Sequence, residues 1–328
     1  MSSGTGVLAG DVGGTKTLLA LYAVRGHNLQ LLREARYASA DFDGLADMLV
    51  NFLAGEPVAA AGFGVAGPVA GGRCQATNLP WLLDEGELSA VLGGVPVKLL
   101  NDLEAVALGL LQVPDGAFVC LNAGRAMEGN IAVLAAGTGL GEAILHRHDG
   151  NYSAIACEGG HCDFAPADAL QDGLLLFLRE RCGGHVSYER ILSGSGLHLV
   201  YQYLLTRNPE LPDVLQGLDG SGEDPAALIA QRGLEQDDAA CRLALRLFAR
   251  IYGQEAGNLA LKCLARGGVL LAGGIAPKLL PVLSDGSFMA GFCDKGRFAD
   301  LLRDMPVRVC LEPQAPLLGA ATAAARLA

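Results

Sequence analysis

The sequence has no apolar run long enough to cross a membrane, although 51% of its 328 residues are hydrophobic. Runs such as 105–113 and 268–277 fall well short of the roughly 18 to 20 residues that a spanning helix needs. No basic segment precedes the apolar stretch near the N-terminus, and Asp11 interrupts that stretch, so we expect no signal peptide. These absences predict a cytoplasmic protein without a membrane segment.

Clustered positive charge is also missing from the chain. The formal net charge is −11, and the acidic residues are scattered rather than grouped in runs. Because binding to a phosphate backbone needs groups of Lys and Arg, we expect no nucleic-acid partner. A small anionic ligand is compatible with this charge, since backbone N–H groups bind anions without a basic surface.

The nine cysteines form no C-x₂-C pair. In a chain without an export signal, such dispersed cysteines predict reduced and mostly buried thiols. Cys157 and Cys162 flank Glu158 and His161, but their C-x₃-H-C spacing matches no common zinc motif. We therefore expect no structural zinc site, and interpret this segment as a polar loop that can bind a polyhydroxylated ligand.

Strand and helix patterns alternate along the first third of the chain. Strands over 7–13 and 17–24, separated by Gly13-Gly14, predict a β-hairpin rather than a strand followed by a helix. Further strands are predicted over 29–37, 59–69 and 95–100. The spacing of four apolar residues predicts a helix over 43–54, with one buried face formed by Leu45, Met48, Leu49 and Phe52.

A second block begins in the same way, with strand, glycine turn and strand over 118–124 and 130–145. The longest helix is predicted over 237–265, with a buried stripe formed by Leu243, Leu247, Ile251 and Leu259. Residues 269–283 predict a strand, a Gly-Gly turn and a helix with Pro277 in its first turn. The two blocks indicate an internally duplicated α/β architecture, and the Pro- and Gly-rich stretch 206–224 indicates a surface excursion.

Three glycine turns follow predicted buried strands, at Gly13-Gly14-Thr15, Gly137-Thr138-Gly139 and Gly273-Gly274. Each alone is compatible with an ordinary tight turn. Together they lie where open α/β sheets bind ligands, and Thr15 and Thr138 add hydroxyl donors suited to phosphate oxygens. Asp11 precedes the first turn. Its carboxylate would either hold Mg²⁺ beside phosphates, directly or through water, or accept hydrogen bonds from the turn.

Asn101-Asp102 stands where a buried strand becomes a helix. Asn and Asp are preferred N-cap residues, which explains one of the two. A carboxylate in this position also suits a general base for an alcohol. Glu189, in a segment flanked by Gly and Ser, is either another ligand for hydroxyl groups or an ordinary solvated acid at a helix start.

These motifs occur in the order found in one family. The first glycine turn and Asn101-Asp102 belong to GDVGGTKTLLAL (10–21) and NDLEAVALGL (101–110), which resemble the first phosphate motif and the catalytic loop of bacterial ATP-dependent glucokinases. AAGTGLGEA (135–143) resembles their second phosphate motif, and LAGGIAPKLL (271–280) their adenosine motif. EGGHCDFAP (158–166) and YERILSGSGL (188–197) are similar to their sugar-binding signature. These kinases belong to the superfamily of sugar kinases, heat-shock-cognate ATPases and actin.

The resemblance implies an α/β fold of two ribonuclease-H-like domains, as in actin-like ATPases, with a central interdomain cleft that holds the active site. The small domain would comprise 1–112 plus 314–328 and the large domain 113–313. The C-terminal helix would return to pack on the small domain. The family also leads us to expect a homodimer.

The resemblance further implies phosphorylation of the 6-hydroxyl of glucose by ATP, with Mg²⁺ and with closure of the cleft when sugar binds. Asp102 would be the general base. The sugar ligands would be Asn101, Asp102, Glu158, His161, Glu189 and, in a less distinctive loop, Asn78. The phosphates and nucleoside would contact Gly13, Gly14, Thr15, Gly137, Thr138, Gly139, Gly273 and Gly274, with Asp11 positioning Mg²⁺. Two alternatives stay open, a kinase for another hexose and a non-catalytic sugar sensor on the same fold.

Overall fold

The computed structural model describes residues 6–26, 28–77, 79–217 and 222–328. Asn78, one of the predicted sugar ligands, therefore lies outside the described residues. The chain divides into two compact units. The first unit comprises the residues up to Asp115, Tyr152–Ala156 and Glu312–Ala328, and the second comprises Gly116–Asn151 and Cys157–Leu311.

The strands alternate with helices along both units. The strands are β1 (Gly6–Val12), β2 (Lys16–Arg25), β3 (Asn28–Ala38), β4 (Ala60–Val65), β5 (Val69–Ala70), β6 (Arg73–Gln75), β7 (Leu82–Asp84), β8 (Val97–Asn101), β9 (Phe118–Asn122), β10 (Ile131–Ala136), β11 (Leu140–His148), β12 (Asn151–Cys157), β13 (Gly268–Ala272) and β14 (Val307–Cys310). The α-helices are α1 (Leu45–Leu53), α2 (Glu85–Val91), α3 (Asp102–Leu110), α4 (Ala169–Cys182), α5 (Gly194–Arg207), α6 (Pro225–Glu235), α7 (Ala239–Cys263), α8 (Ile275–Lys278), α9 (Leu280–Leu283), α10 (Ser287–Cys293), α11 (Ala299–Arg303) and α12 (Ala315–Ala325).

The main sheet of the first unit has the strand order β3-β2-β1-β4-β8. β1 and β2 form the predicted hairpin, with Val12 opposite Thr17 at its closed end. β4 and β8 run parallel to β1, so the carboxyl ends of all three strands meet at one edge of the sheet. The apolar face predicted for α1 is confirmed, because all four of its residues are buried against this unit's core.

The C-terminal helix α12 packs on the first unit, as the family resemblance implies. It crosses α3 at two glycines, where a Cβ on Gly109 would overlap the carbonyl oxygen of Ala315 and one on Gly319 would overlap that of Ala105. Glycine is needed at both positions because the two backbones touch. This contact fixes the position of α3, the helix that begins with Asp102.

In the second unit, β11, β10, β13, β14 and β9 are neighbours in that order. β10 and β11 form a hairpin with Ala136 opposite Leu140, and β13 and β14 run parallel to β10. The predicted repetition of a glycine-turn hairpin followed by parallel strands is therefore present in both units. The 25-residue helix α7 supplies much of the second unit's core.

Three expectations from the sequence need correction. Leu243 is 43% exposed, because a stripe at i+4 spacing drifts about 40° around the helix at each step and leaves the buried face. The helix after Gly273-Gly274 is interrupted at Leu279, since Pro281 has no N–H and its ring excludes the carbonyl four residues earlier. Of the nine free thiols, Cys120 and Cys162 are exposed and only four are buried.

Two segments complete the description. The predicted excursion 206–224 lies between α5 and α6, and its residues 218–221 are outside the described ranges. No helix within the described part of the chain combines the length and the apolar character that crossing a bilayer requires.

Candidate active site

The first glycine turn is held in place by a neighbouring serine. The Gly13 N–H donates to the Lys16 carbonyl (3.1 Å), which closes the turn between β1 and β2. The buried Ser39 hydroxyl donates to the Gly13 carbonyl (2.7 Å), and the Ser39 N–H donates to the Thr15 carbonyl (3.1 Å). Both carbonyls are therefore directed at Ser39. These hydrogen bonds restrain the conformation of the turn. A restrained turn with free backbone N–H groups is suited to binding phosphate.

Asn101 caps helix α3. Its Oδ1 accepts a hydrogen bond from the Leu103 N–H (2.9 Å), and Glu104 Oε2 accepts one from the Asn101 N–H (3.0 Å), which together make a capping box. Asn101 Nδ2 also donates to the Gly67 carbonyl (3.2 Å). The N-cap interpretation of Asn101 is thus confirmed, and one N–H of its amide is left over from these bonds for a ligand.

Asp102 and Asp11 lie at the same edge of the first unit's sheet. Asp11 pairs with Gly64 of β4, and Asn101, just before Asp102, pairs with the next residue, Val65. Asp102 is the first residue of α3, and its Oδ1 accepts from the Leu103 N–H (2.9 Å). The two residues therefore stand at the carboxyl ends of β1 and β8, which are separated by the single strand β4.

The electrostatics of this edge favour a cation. The pKa of Asp11 is raised to about 6, mainly by burial and also by the negative charge of Asp102, while Lys16 partly offsets both effects. Two carboxylates whose charges oppose each other are stabilised by a divalent ion, and oxygen ligands of this kind are those that Mg²⁺ prefers. The donor set around Asp11 therefore fits Mg²⁺.

The second glycine turn is bound to a glutamate from another segment. The Gly137 N–H donates to the Gly139 carbonyl (2.8 Å), and the Gly194 N–H, at the start of α5, donates to the Gly137 carbonyl (3.0 Å). Glu189 Oε2 accepts from the Leu140 N–H (3.0 Å), in contact with Gly139, where a Cβ would overlap that oxygen. Glu189 is therefore not a solvated acid at a helix start. It ties its segment to the turn.

A cavity of about 530 Å³ joins the second and third glycine turns. It is lined by Gly137, Thr138, Gly194, Ser195, Leu197, Asp224, Ala226, Ala227, Ala230, Gly274, Ile275, Lys278 and Leu279. Gly273 has φ +79° and its Cα faces the Ala136 carbonyl, so only glycine fits there. A mostly apolar wall with backbone N–H groups, a hydroxyl and a lysine at its edge suits a nucleoside with its phosphates.

Glu158, His161 and Glu189 belong to two loops that pair with each other. The Tyr188 N–H donates to the Cys162 carbonyl (3.0 Å), and Asp163 and Ser187 form a single β-bridge. His161 Nδ1 lies 3.8 Å from Glu189 Oε1. Glu158 begins the one-turn 3₁₀ segment that contains His161. The three residues thus lie on two paired loops of the second unit, and the side chains of His161 and Glu189 are close together.

A sequence model of the family described as glucokinase matches residues 8–327. The chain belongs to the glucokinase family. A glucokinase of Trichormus variabilis is 40% identical over 98% of this chain and 99% of its own length. The structure of a glucokinase from an Antarctic psychrotroph superposes with a TM-score of 0.87 at 29% identity, covering 98% of this chain and 99% of the other.

A second solved structure is that of the Balamuthia mandrillaris glucokinase in complex with glucose. It superposes with a TM-score of 0.81 at 25% identity, over 98% of this chain and 94% of the other. The α/β, actin-like ATPase fold expected from the sequence is therefore confirmed by the matched glucokinase structures.

In this glucokinase-family chain the predicted residues form two groups, one in each unit. Asp11, the first glycine turn and Asn101-Asp102 lie together in the first unit. The other two turns, Glu158, His161 and Glu189 lie in the second. The sequence analysis missed Ser39, Glu104, Ser195 and Lys278. Glu104 could have been found, since Asn101-x-x-Glu104 is a capping-box pattern, whereas no local signal connects Ser39 with a turn 26 residues away.

Proposed function

We propose that this glucokinase-family protein transfers the γ-phosphoryl group of ATP to the 6-hydroxyl of glucose. The hydroxyl oxygen forms a bond to the γ-phosphorus, the bond from that phosphorus to the β,γ-bridging oxygen breaks, and ADP leaves. The hydroxyl proton passes to a carboxylate. The products are glucose 6-phosphate and ADP.

The position of Asp102 is the observation that carries this proposal. It begins α3 at the carboxyl end of β8, next to the Asn101 amide, whose orientation is fixed by two hydrogen bonds. We propose that the Asp102 carboxylate accepts the proton of the 6-hydroxyl while Asn101 donates its remaining N–H to the sugar. General base catalysis of this kind contributes about 10²- to 10⁴-fold to a rate.

We propose that the glycine turns bind ATP. Gly14, Thr15, Thr138 and Gly139 would offer backbone N–H groups and hydroxyls to the phosphates. Gly13 and Gly137, whose N–H groups close the two turns, would lie against the phosphates and shape the turns. Gly273-Gly274 would contact the nucleoside in the cavity. The hydrogen bonds that fix both hairpin turns support this role, because preorganised donors cost little reorganisation when charge develops on phosphate oxygens. Ser195 and Lys278, which line the same cavity, would contact the nucleotide as well.

Asp11 is the residue that we propose to hold Mg²⁺, most simply through a water molecule. Bound there with ATP, the ion would neutralise the charge of the phosphates. Asp11 itself would be kept ionised by that ion, against the burial and the Asp102 charge that raise its pKa.

Glu158, His161 and Glu189 are proposed to bind the remaining sugar hydroxyls. The two carboxylates can accept hydrogen bonds from hydroxyl groups, and the imidazole can donate or accept one. This set can therefore orient a hexose, provided that the loops keep a fixed geometry. The pairing of the two loops supports such a fixed geometry. Asn78 keeps its predicted role as a further sugar ligand.

Further proposals concern the whole protein. We propose that the two units are the small and large domains, that sugar binding closes a cleft and excludes water, and that the protein is a cytoplasmic homodimer. Light scattering coupled to size-exclusion chromatography tests the dimer, and a monomeric mass would refute it.

Small-angle scattering with and without glucose tests closure of the cleft. If the cleft closes, the radius of gyration should be smaller with sugar.

A coupled assay of ADP release with ATP and a panel of hexoses tests the reaction. We expect the highest kcat/KM with glucose. Faster turnover of mannose or an amino sugar would instead identify a kinase for another hexose. If none of the sugars led to ADP release although glucose stabilised the protein against heat, the protein would be a sugar sensor and the proposed reaction would be refuted.

A further inference from the structure

Two buried carboxyl groups face each other beneath the proposed sugar-binding loops. Glu142, on β11, is 1% exposed, and Glu255, on α7, is completely buried. Within the described part of the chain, neither oxygen of Glu142 has a hydrogen-bond donor, and neither has Oε1 of Glu255. Burying an ionised carboxylate that accepts no hydrogen bond is unfavourable in free energy, so this environment favours the neutral, protonated form of the carboxyl group.

A single proton would satisfy the orphaned oxygens. The two carboxyl groups lie near enough to affect each other's titration, and a hydrogen bond between two carboxyl groups exists only when one of them carries a proton. Burial raises the pKa of Glu142 to about 8, and the charge of Glu255 adds to the effect. Burial also raises the pKa of Glu255. The pair titrates as a unit, so one proton belongs to both residues near neutral pH.

Several polar and titratable side chains surround the Glu142–Glu255 pair. Lys262 Nζ lies 3.8 Å from Glu255 Oε1, and Asn258 Nδ2 donates to Glu255 Oε2 (2.8 Å). The other titratable groups that act on the pair are Tyr188, Tyr252, Lys295 and Cys157. Lys262 lowers the pKa of both carboxyl groups and Lys295 lowers that of Glu255, so the two lysines partly offset the effect of burial on the pair.

The first sugar-binding loop rests on Glu142. A Cβ on Gly159 would overlap Glu142 Oε2, and one on Gly160 would overlap the Leu140 carbonyl, so the backbone between Glu158 and His161 lies directly on β11. Cys157 Sγ lies 3.4 Å from the Glu142 carbonyl oxygen. A change at the Glu142 carboxyl group is therefore transmitted to the loop by contact.

The second sugar-binding loop is connected to Glu255. Asn258 Nδ2 donates both to Glu255 and to the Tyr188 hydroxyl (3.0 Å), and Tyr188 immediately precedes Glu189. Burial and, after it, the negative charge of Glu255 raise the pKa of the Tyr188 hydroxyl, which shows that the two groups lie near each other. The carboxyl pair thus contacts both loops that carry the proposed sugar ligands.

We propose that Glu142 and Glu255 are positioning residues, which share one proton and thereby hold the Glu158–His161 loop and Glu189 in the geometry that binds the sugar. The proposal rests on the function proposed above. Loss of the shared proton places two buried negative charges against each other, and their repulsion separates the supports of the two loops. Sugar affinity, and not the chemical step, is the property that this change alters.

The first test follows the proton without any substrate. The infrared spectrum of the wild type near neutral pH should contain the carbonyl stretching band of a buried protonated carboxylic acid. Glu142→Gln should lose this band, and so should the wild type above pH 9. If the wild-type band were absent at pH 7, no proton would be shared and the proposal would be overturned.

The second test is the pH dependence of the glucose KM. In the wild type KM should rise above pH 8, approaching about tenfold per pH unit, while the change in kcat is small. In Glu142→Gln the neutral amide can donate to Glu255 at every pH, so KM should stay flat from pH 7 to 9.5. Glu142→Asp keeps the acid but shortens it, and should raise KM at pH 7.

The matched control is Glu180→Gln, the same chemical change at a side chain on α4 that is 80% exposed. Its KM should follow the wild-type pH profile. Titration calorimetry with glucose alone should give a dissociation constant with the same pH profile as KM in each protein.

The outcomes separate this proposal from the proposed function. If the wild type phosphorylates glucose but Glu142→Gln retains the wild-type rise in KM, the positioning role is refuted and the function stands. If the wild type neither binds nor phosphorylates glucose, the proposed function fails and this inference fails with it. A Glu142→Gln variant that lowers kcat at every pH with unchanged KM would also contradict a positioning role.

Discussion

The two units begin with the same hairpin but carry different side chains at its closed end. In the first unit, Asp11 stands on β1 one pair before the last hairpin pair, Val12 opposite Thr17. The equivalent residue of the second unit is Ala135, one pair before Ala136 opposite Leu140. Asn101-Asp102 stands at the end of β8, the second parallel strand of the first unit, whereas Gly273-Gly274 follows β13, the first parallel strand of the second unit.

The difference shows how one arrangement of strands serves two kinds of chemistry. In the first unit the strand ends hold carboxylates, whose mutual repulsion makes them suited to a metal ion and a proton. In the second unit the strand ends hold glycines and a hydroxyl. Its buried carboxyl groups, Glu142 and Glu255, lie instead beneath the two loops that carry Glu158, His161 and Glu189. We infer that the first unit supplies the base and the metal ligand of the chemical step, and that the second supplies most of the charged groups that bind the sugar.

The largest effect is expected from Asp102→Asn, which removes the base and keeps the shape. We expect kcat to fall about 10²- to 10⁴-fold, while the dissociation constant for glucose changes little. Steady-state kinetics and titration calorimetry measure the two quantities. Asp43→Asn, at an exposed aspartate, is the control and should keep full activity. Near-normal turnover by Asp102→Asn would refute its role.

Gly109→Ala tests the contact that fixes α3. The added methyl group would overlap the Ala315 carbonyl oxygen, so α3 and α12 must separate. We expect the free energy of unfolding to fall by about 3 kcal/mol in urea titrations. Gly116→Ala, where a Cβ meets no atom within 4 Å, should change it by less than about 0.5 kcal/mol. Equal stability of both variants would contradict the close helix contact.

Gly273→Ala tests the third turn in the second unit. Its φ of +79° and the Ala136 carbonyl oxygen both oppose a side chain, so we expect a loss of about 1 to 3 kcal/mol in unfolding free energy and weaker ATP binding. Gly274→Ala is the control for stability, since no atom lies within 4 Å of the added carbon. If the two variants were equally stable in thermal unfolding, the turn would be less constrained than the structure indicates.

The pH dependence of stability tests the buried pair in the second unit. The pKa of Glu142 is raised from 4.5 to about 8, so between these values the unfolded chain releases a proton that the folded protein keeps. Stability should therefore fall as pH rises through this window, by at most about 1.4 kcal/mol per pH unit, and level off above it. Glu142→Gln should flatten this slope, whereas Glu180→Gln should keep it. An unchanged slope in Glu142→Gln would place the titration elsewhere.

Ser39→Ala should have the smallest effect. It removes the hydrogen bond to the Gly13 carbonyl (2.7 Å) and leaves the buried Thr17 hydroxyl without its partner (3.0 Å). We expect a loss of about 1 kcal/mol in stability and a KM for ATP a few-fold higher. Ser284→Ala, at an exposed serine, is the control. An ATP affinity equal to that of the wild type would show that the turn needs no support from Ser39.

Local patterns were sufficient to predict most elements and the residues at the strand ends. The hairpin over Val12 and Thr17, the apolar face of α1 and the N-cap at Asn101 each depend on neighbours in sequence. Contacts between distant segments were not predictable in this way. Nothing near Gly109 signals its contact with α12, and nothing near Glu142 signals a partner 113 residues later on α7. The interruption at Leu279 is a different case, because Pro281, which causes it, is visible in the sequence.

The most direct test of the division between the units is to measure kcat and the glucose KM of Asp102→Asn and Glu158→Gln side by side. Asp102→Asn should lose kcat with little change in KM, since its carboxylate acts in the transition state. Glu158→Gln should raise KM about tenfold or more and retain most of kcat, since it loses a charged acceptor for a sugar hydroxyl. The reverse pattern, or equal losses of kcat in both variants, would contradict the assignment of chemistry to the first unit and binding to the second.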